Sequence, residues 1–151
     1  MKSLFINKPK KILIKMNFKK GIIAGLIAGI VILIVGMTSG YLFGTDYEKT
    51  PELWKHMTGN WYYTMIAVDF IEGILYGLVF TVVYTGIPGN GWKKGLNYGL
   101  ILWIVATIPG MLMTYITMTV PDMIVASWLF GGLISLVIAG PAIAIVHDKL
   151  K

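Results

Sequence analysis

Long apolar stretches, each bounded by polar or basic residues, dominate the chain and recur four times. They cover residues 21–43, 62–86, 95–117 and 122–146. Each exceeds the roughly 20 residues that an α-helix needs to cross the hydrocarbon core of a bilayer. The pattern predicts an all-α membrane protein with four transmembrane helices. A basic segment at residues 1–20 precedes them, and a short polar tail at residues 147–151 follows them.

The first and third apolar stretches are related in sequence. Residues 19–42 and 93–116 align without gaps, and 12 of the 24 aligned positions are identical. Both copies begin with Lys-Lys-Gly. The second stretch matches the fourth more weakly, at an offset of 58 positions. We therefore expect two tandem helical hairpins, arranged as parallel repeats about an axis along the membrane normal.

The distribution of lysines predicts the orientation of these hairpins. All 13 basic residues are lysines, and 11 of them lie in the first 20 residues, at Lys93–Lys94 and in the tail. The opposite side holds Lys49 and Lys55. Because cytoplasmic loops are the ones rich in lysine and arginine, we expect both termini inside, in a multi-pass protein of the plasma membrane.

The basic N-terminal segment interleaves its seven lysines with apolar residues. This pattern is typical of a segment that lies on an anionic inner leaflet. The simpler interpretation is a flank that only sets the topology, and Met16 is an alternative natural start. A nucleic-acid partner is not expected, because the lysines gather at helix ends and arginine is absent.

Small residues recur at intervals of four along the predicted helices. Residues four apart share a helix face, and glycine there lets a neighbouring backbone approach closely. The candidate packing positions are Gly21, Gly25, Gly29, Gly36, Gly40, Gly73, Gly77, Gly131 and Ser135. These faces favour self-association as a homo-oligomer, or a place in a larger membrane complex.

Two acids, Asp69 and Glu72, lie well inside the second predicted helix. Together with Tyr76 they follow three- and four-residue steps, so the three side chains share one face. An ionised carboxylate is costly in hydrocarbon, and burial and mutual repulsion favour the neutral form, so we expect at least one acid to be protonated at neutral pH. The group is either a cation or proton site, or a hydrated and hydrogen-bonded structural feature.

Other chemistry finds little support in the sequence. The absence of cysteine excludes disulfides, iron–sulfur clusters and cysteine zinc sites. His56 and His147 are predicted on opposite sides of the membrane, where we expect each to be solvated. The chain shows no nucleophile–base pair, phosphate-binding loop or cluster of metal ligands. We therefore expect no catalytic residues, no cofactor, no metal and no enzymatic activity.

Three segments, KKGLNYGLILWIV, the preceding turn IPGNGWKKG and the terminal GPAIAIVHDK, carry a resemblance to a known group. With them the chain resembles the small four-helix integral membrane proteins of bacteria and archaea that are known only as domains of unknown function. The resemblance spans most of the chain and implies the same four-helix fold. It implies no catalytic or binding residue.

Three functional hypotheses follow. The first is a self-associating or complex-forming membrane component that uses its glycine faces. The second is a small cation- or proton-coupled transporter or channel that uses Asp69, Glu72 and Tyr76. The third is a membrane anchor whose N-terminal segment binds a cytoplasmic partner.

Overall fold

The structure is a computed structural model that describes residues 17–54 and 59–150. Its helices are α1 (Phe18–Glu48), α2 (Gly59–Val83), α3 (Trp92–Leu102), α4 (Ile108–Thr117) and α5 (Asp122–Lys149). Four helical spans are long and apolar enough to cross a membrane, and the third, Trp92–Thr117, contains both α3 and α4. The predicted all-α architecture with four candidate spans is confirmed. The basic N-terminal segment before Asn17, including the alternative start, lies outside the described residues, as does His56.

The helix boundaries follow from local chemistry. The Asn17 side chain caps α1 by accepting a hydrogen bond of 3.4 Å from the amide of Lys20. The turn between α2 and α3 contains Gly89 and Gly91 with φ of 95° and 54°, a backbone region that glycine adopts at little cost. A 3₁₀ turn, Pro51–Leu53, follows α1.

A π-helical segment, Trp103–Thr107, joins α3 to α4 and ends just before Pro109. Proline lacks an N–H group, and its ring collides with the carbonyl four residues earlier, here Val105. That carbonyl lies inside the π-helical segment, where backbone hydrogen bonds span five residues instead of four. The third span therefore stays continuous across its proline.

Helices α1 and α2 pack backbone to backbone through glycine. A Cβ atom on Gly25 would lie 2.5 Å from the Cα of Ile74 and 2.6 Å from the carbonyl oxygen of Gly73. A Cβ on Gly29 would lie 3.0 Å from the Cα of Phe70. Any side chain at these positions would force the two helices apart, so the glycines are what permits this helix separation.

Helices α3 and α5 form a second glycine contact of the same kind. A Cβ on Gly95 would lie 2.6 Å from the Cα of Pro141, and one on Gly99 would collide with the carbonyl oxygen of Leu136. Gly140 approaches Gly95 equally closely from the other side. Helix α1 packs along α5 as well, so α1 and α5 form the centre of the bundle.

The bundle has two ends that differ in chemistry. At the lysine end, where α1 and α3 begin, the Tyr84 hydroxyl donates a hydrogen bond of 2.7 Å to Asp148. There the Lys94 ammonium also donates one of 3.0 Å to the backbone carbonyl of Tyr84. At the loop end, where α1 ends and α5 begins, Trp128 Nε1 donates to the Tyr47 hydroxyl at 2.5 Å.

The buried apolar core lies in the half of the bundle next to the lysine end. Its members are Ala24, Ala28, Phe80, Ile87, Tyr98, Ala139, Ile143 and Ala144. Small residues of α1 and α5 leave room there for the two aromatic rings of Phe80 and Tyr98, which meet edge to face with centroids 5.1 Å apart. The other half of the bundle contains the candidate site.

Candidate functional site

A cavity of about 450 Å³ lies between all four spans, in the half of the bundle towards the loop end. Asp69, Glu72 and Tyr76 of α2 line it together. Their three- and four-residue spacing places them on one face of α2, as the sequence predicts. The structure therefore brings the three candidate residues of the second helix to one cavity.

The other spans add hydroxyl groups to this cavity. They are Ser39 from α1, Thr107 from the π-helical segment, and Ser127 and Ser135 from α5. The Ser127 hydroxyl donates a hydrogen bond of 2.7 Å to the backbone carbonyl of Ile124. Apolar side chains complete the lining, namely Ile32, Val35, Met111, Trp128 and Leu136. The cavity is thus a mixed polar and apolar space inside a bundle whose outer surface is apolar.

Glycines hold part of this space open. Gly36 lines the cavity, and no atom lies within 4 Å of a Cβ built on it. Gly131 also lines the cavity, with the Ser39 hydroxyl 3.8 Å from its built Cβ. Gly40, one turn beyond Gly36, has open space around its built Cβ. These positions differ from Gly25 and its neighbours, which the structure places in tight helix–helix contact.

Tyr76 forms the boundary between the cavity and the apolar core. Its hydroxyl donates a hydrogen bond to the Glu72 carboxylate one turn earlier on α2. The Tyr98 hydroxyl of α3 donates one of 2.6 Å to the backbone carbonyl of Tyr76. Since Tyr76 and Leu102 also pack against the buried core, the cavity ends at this layer and the lysine end beyond it is filled.

An aromatic cluster, Tyr47, Trp54 and Trp128, stands at the loop end of the cavity. The Trp54 ring lies 5.1 Å from the Tyr47 ring and 6.0 Å from the Trp128 ring, between centroids. Trp54 Nε1 also donates to the backbone carbonyl of Tyr47 at 3.1 Å. Trp128 is therefore fixed by its neighbours, and it is the member of the cluster that lines the cavity.

The lining is acidic and has no basic counterpart. Among the residues that the structure places around the cavity, Asp69 and Glu72 carry acidic groups and none is a lysine. Within residues 17–54 and 59–150, no group of three histidine, cysteine, aspartate or glutamate side chains is placed to hold a metal ion. Two carboxyl groups with hydroxyl neighbours can instead exchange protons or pair with a cation.

His147 departs from the solvated position that the sequence suggests, and that expectation is wrong. Its side chain is 12% exposed, and both ring nitrogens are buried without a hydrogen-bond partner in the described structure. The ring stacks on Tyr84 at 4.9 Å and meets the edge of Phe80 at 5.4 Å. Its position follows from the helical continuation of α5 to Lys149, which turns the ring towards α2.

Comparison of the chain with protein-family models, with curated proteins and with solved structures gives no significant match. The fold and composition define a multi-pass membrane protein. Its function is therefore argued from the cavity and its lining.

Proposed function

We propose that this chain is a small membrane transporter or channel that binds a cation in its cavity, with Asp69 and Glu72 as the charged groups. The observation that carries the proposal is the convergence of both acids, Tyr76 and hydroxyls from the other three spans on one cavity. An ionised carboxylate inside the bilayer is costly in free energy unless a binding partner or a water-filled pathway offsets that cost. A cation or a proton supplies that partner here.

The chemistry of the lining suits a site that is occupied in turn by protons and by a cation. Glu72 accepts a hydrogen bond from Tyr76, which stabilises a negative charge on its carboxylate. Asp69 lies one turn away on the same face of α2, so two ionised carboxylates would repel each other. Binding of either a proton or a cation relieves this repulsion, and the two ligands therefore compete.

The position of the cavity supports access from one end at a time. The loop-end half of the bundle holds the cavity, while the core around Phe80 and Tyr98 fills the half at the lysine end. Release towards the lysine end therefore requires movement of the layer formed by Tyr76 and Tyr98. Closely packed glycine surfaces, such as Gly25 against Gly73, let helices slide with few side chains in the way.

The proposal also covers the orientation of the protein in the membrane and its construction from two repeated hairpins. The lysine bias supports a cytoplasmic lysine end, and the cavity then lies in the outer half of the bundle. Gly21 and Gly25 of the first hairpin correspond by the 74-residue offset to Gly95 and Gly99 of the second. Both pairs make close backbone contacts within their hairpins, and this supports two parallel repeats that have diverged at the acids of α2.

The direct test is uptake of cations and protons into proteoliposomes. We expect the wild type to carry a flux that the double variant Asp69→Asn/Glu72→Gln loses. The matched control is Glu52→Gln/Asp122→Asn, which makes the same chemical changes at exposed positions outside the cavity. This control is expected to keep the flux.

Two results of the flux measurement would contradict the proposal. Flux that persists in the Asp69→Asn/Glu72→Gln variant would show that the acids are not the binding groups. Lack of flux with a folded wild type, for protons and every cation in the series, would overturn the transporter proposal.

Self-association is the second candidate function, and the third span favours it. The most apolar window of this span is 6% buried in the single chain, against 22–28% for the other three spans. Ala106, Gly110 and Thr114 are spaced by four along it, and a Cβ on Gly110 meets nothing within 4 Å. A second copy could therefore approach the backbone closely at this face.

Counting of subunits by single-molecule photobleaching in lipid bilayers tests this candidate. We expect dimers for the wild type and for the control Ile116→Leu, at an exposed residue of the same span, and monomers for Gly110→Leu. A monomeric wild type, or a dimer that Gly110→Leu leaves intact, would contradict association through this face.

A further inference from the structure

The volume of the cavity limits the kind of ligand that it accepts. Small-molecule sites measure about 300–1,000 Å³, whereas one water molecule takes up about 30 Å³ of the liquid. The cavity, at about 450 Å³, is far larger than a bare proton or a dehydrated metal ion requires. Its size matches a small organic molecule.

The described residues around the cavity provide few charged or imidazole ligands for a divalent metal ion. Magnesium takes six oxygen ligands in near-ideal geometry, and calcium takes six to eight. The described part of the chain contributes two carboxylates to the cavity, and no third acidic, histidine or cysteine side chain joins them. A monovalent cation, whose single charge one carboxylate can neutralise, suits these cavity residues better.

The remaining lining suits an ion with an apolar body. Ile32, Val35, Met111 and Leu136 offer hydrocarbon contact that a hydrated inorganic ion cannot use. Two aromatic side chains, Tyr76 and Trp128, also line the cavity. Aromatic rings attract organic ammonium groups through their electron-rich faces, and tryptophan does so most strongly.

Trp128 is held in place before any ligand arrives. Its Nε1 donates to the Tyr47 hydroxyl at 2.5 Å, and the Trp54 ring lies edge-on to it with centroids 6.0 Å apart. A ring that is already ordered loses little conformational freedom on binding. The acids lie on α2 and Trp128 on α5, so charged and aromatic groups line the cavity from different helices.

We propose that the cavity ligand is a monovalent organic cation, an amine or quaternary ammonium compound with an apolar body. Its charge pairs with Asp69 and Glu72, and its apolar body contacts Trp128 and the hydrocarbon lining. This proposal rests on the proposed function, because it names the substrate class of the same site. It further requires that the organic cation and protons compete for the two carboxylates.

Equilibrium binding to the purified full-length protein in lipid nanodiscs tests the substrate class. The probe is benzyltrimethylammonium, followed by calorimetry, with benzyl alcohol as an uncharged ligand of similar shape and manganese(II) as a metal ion. We expect binding of benzyltrimethylammonium that weakens as the pH falls, and no binding of the other two. Asp69→Asn/Glu72→Gln should abolish the binding.

Substitutions of Trp128, with Trp92 as the control position, test the aromatic contact. Trp128→Leu should weaken the binding by roughly tenfold, since it removes the ring face. Trp128→Phe, which keeps an aromatic ring, should weaken it less. Trp92→Leu makes the same change at an exposed position at the lysine end and should leave the affinity unchanged. Thermal unfolding of each variant checks that it is folded.

The outcomes distinguish this inference from the proposed function. If protons or inorganic cations show acid-dependent flux while benzyltrimethylammonium does not bind, the organic-cation proposal is overturned and the transporter proposal stands. Equal binding of benzyl alcohol, or unchanged binding in Trp128→Leu, would also overturn it. If neither flux nor binding is found with folded protein, both proposals fail.

Discussion

Tyr98 of α3 donates a hydrogen bond of 2.6 Å to the backbone carbonyl of Tyr76 on α2, and this bond joins two helices from different hairpins. The carbonyl is also the acceptor of the α-helical bond within α2, so Tyr98 adds a second donor to it. The same residue, Tyr76, carries the hydroxyl that faces Glu72. The contact thus couples the position of the cavity boundary to the third span.

Tyr98→Phe should lower the free energy of unfolding by about 1 kcal/mol, because the Tyr76 carbonyl keeps its helical partner after the hydroxyl is lost. The variant should also loosen the boundary and increase proton leak through the protein. Steric-trapping measurements in bicelles give the stability. Tyr115→Phe, at a 56% exposed residue of the same span, is the control and should change neither quantity. An equal loss in both variants would contradict the role of the bond.

Gly25→Ala should destabilise the bundle by about 1–3 kcal/mol, as overpacking of a tight interior does. The added methyl group would lie 2.5 Å from the Cα of Ile74, and a backbone atom cannot move aside as a flexible side chain can. Gly40→Ala is the matched control, because a Cβ there meets nothing within 4 Å. It should be neutral or stabilise by up to about 1 kcal/mol through helix propensity. Thermal unfolding of both variants in the same detergent measures these changes in stability, and an equal effect of the two substitutions would contradict the tight contact at Gly25.

The comparison of Gly25 with Gly36 shows how far the sequence predicts this site. Spacing by four identifies both as small-residue positions on α1, since the period of a helix is a local property. Spacing does not reveal what lies opposite, because this depends on the crossing of helices distant in the chain. Gly25 faces the backbone of α2, whereas Gly36 faces the cavity.

For the acids and their surroundings, too, local features could be predicted from the sequence and long-range contacts could not. The common face of Asp69, Glu72 and Tyr76 follows from their positions within one helix, and it could be predicted. The Trp128–Tyr47 hydrogen bond joins residues 81 positions apart, and no local pattern indicates it. The burial of His147 could not be predicted because the residues that follow it, Asp148 and Lys149, are charged, while its neighbours in space are Phe80 and Tyr84.

Gly36→Leu should block transport without unfolding the protein. The leucine side chain would enter the open space of the cavity, so we expect the flux to fall to that of empty vesicles. The free energy of unfolding should change by less than about 1 kcal/mol, since no neighbour is displaced. Proteoliposome uptake and thermal unfolding are measured on the same preparation. Gly40→Leu, outside the cavity lining, should keep the flux, and loss of flux in both variants would indicate a general effect of bulk on α1.

Ser39→Cys should react with a charged, membrane-impermeant thiol reagent added outside the cell. The chain contains no cysteine, so the introduced thiol is the only one that the reagent can label. Ser39 lines the cavity in the half towards the loop end, which the lysine distribution predicts to lie outside. Asn90→Cys, in the exposed turn at the lysine end, should react only after the membrane is opened. Protection of Ser39→Cys by benzyltrimethylammonium would further place the ligand in the cavity. Labelling of Asn90→Cys from outside in intact cells would reverse the orientation, and a Ser39→Cys thiol that reacts from neither side would show that the cavity is closed to both.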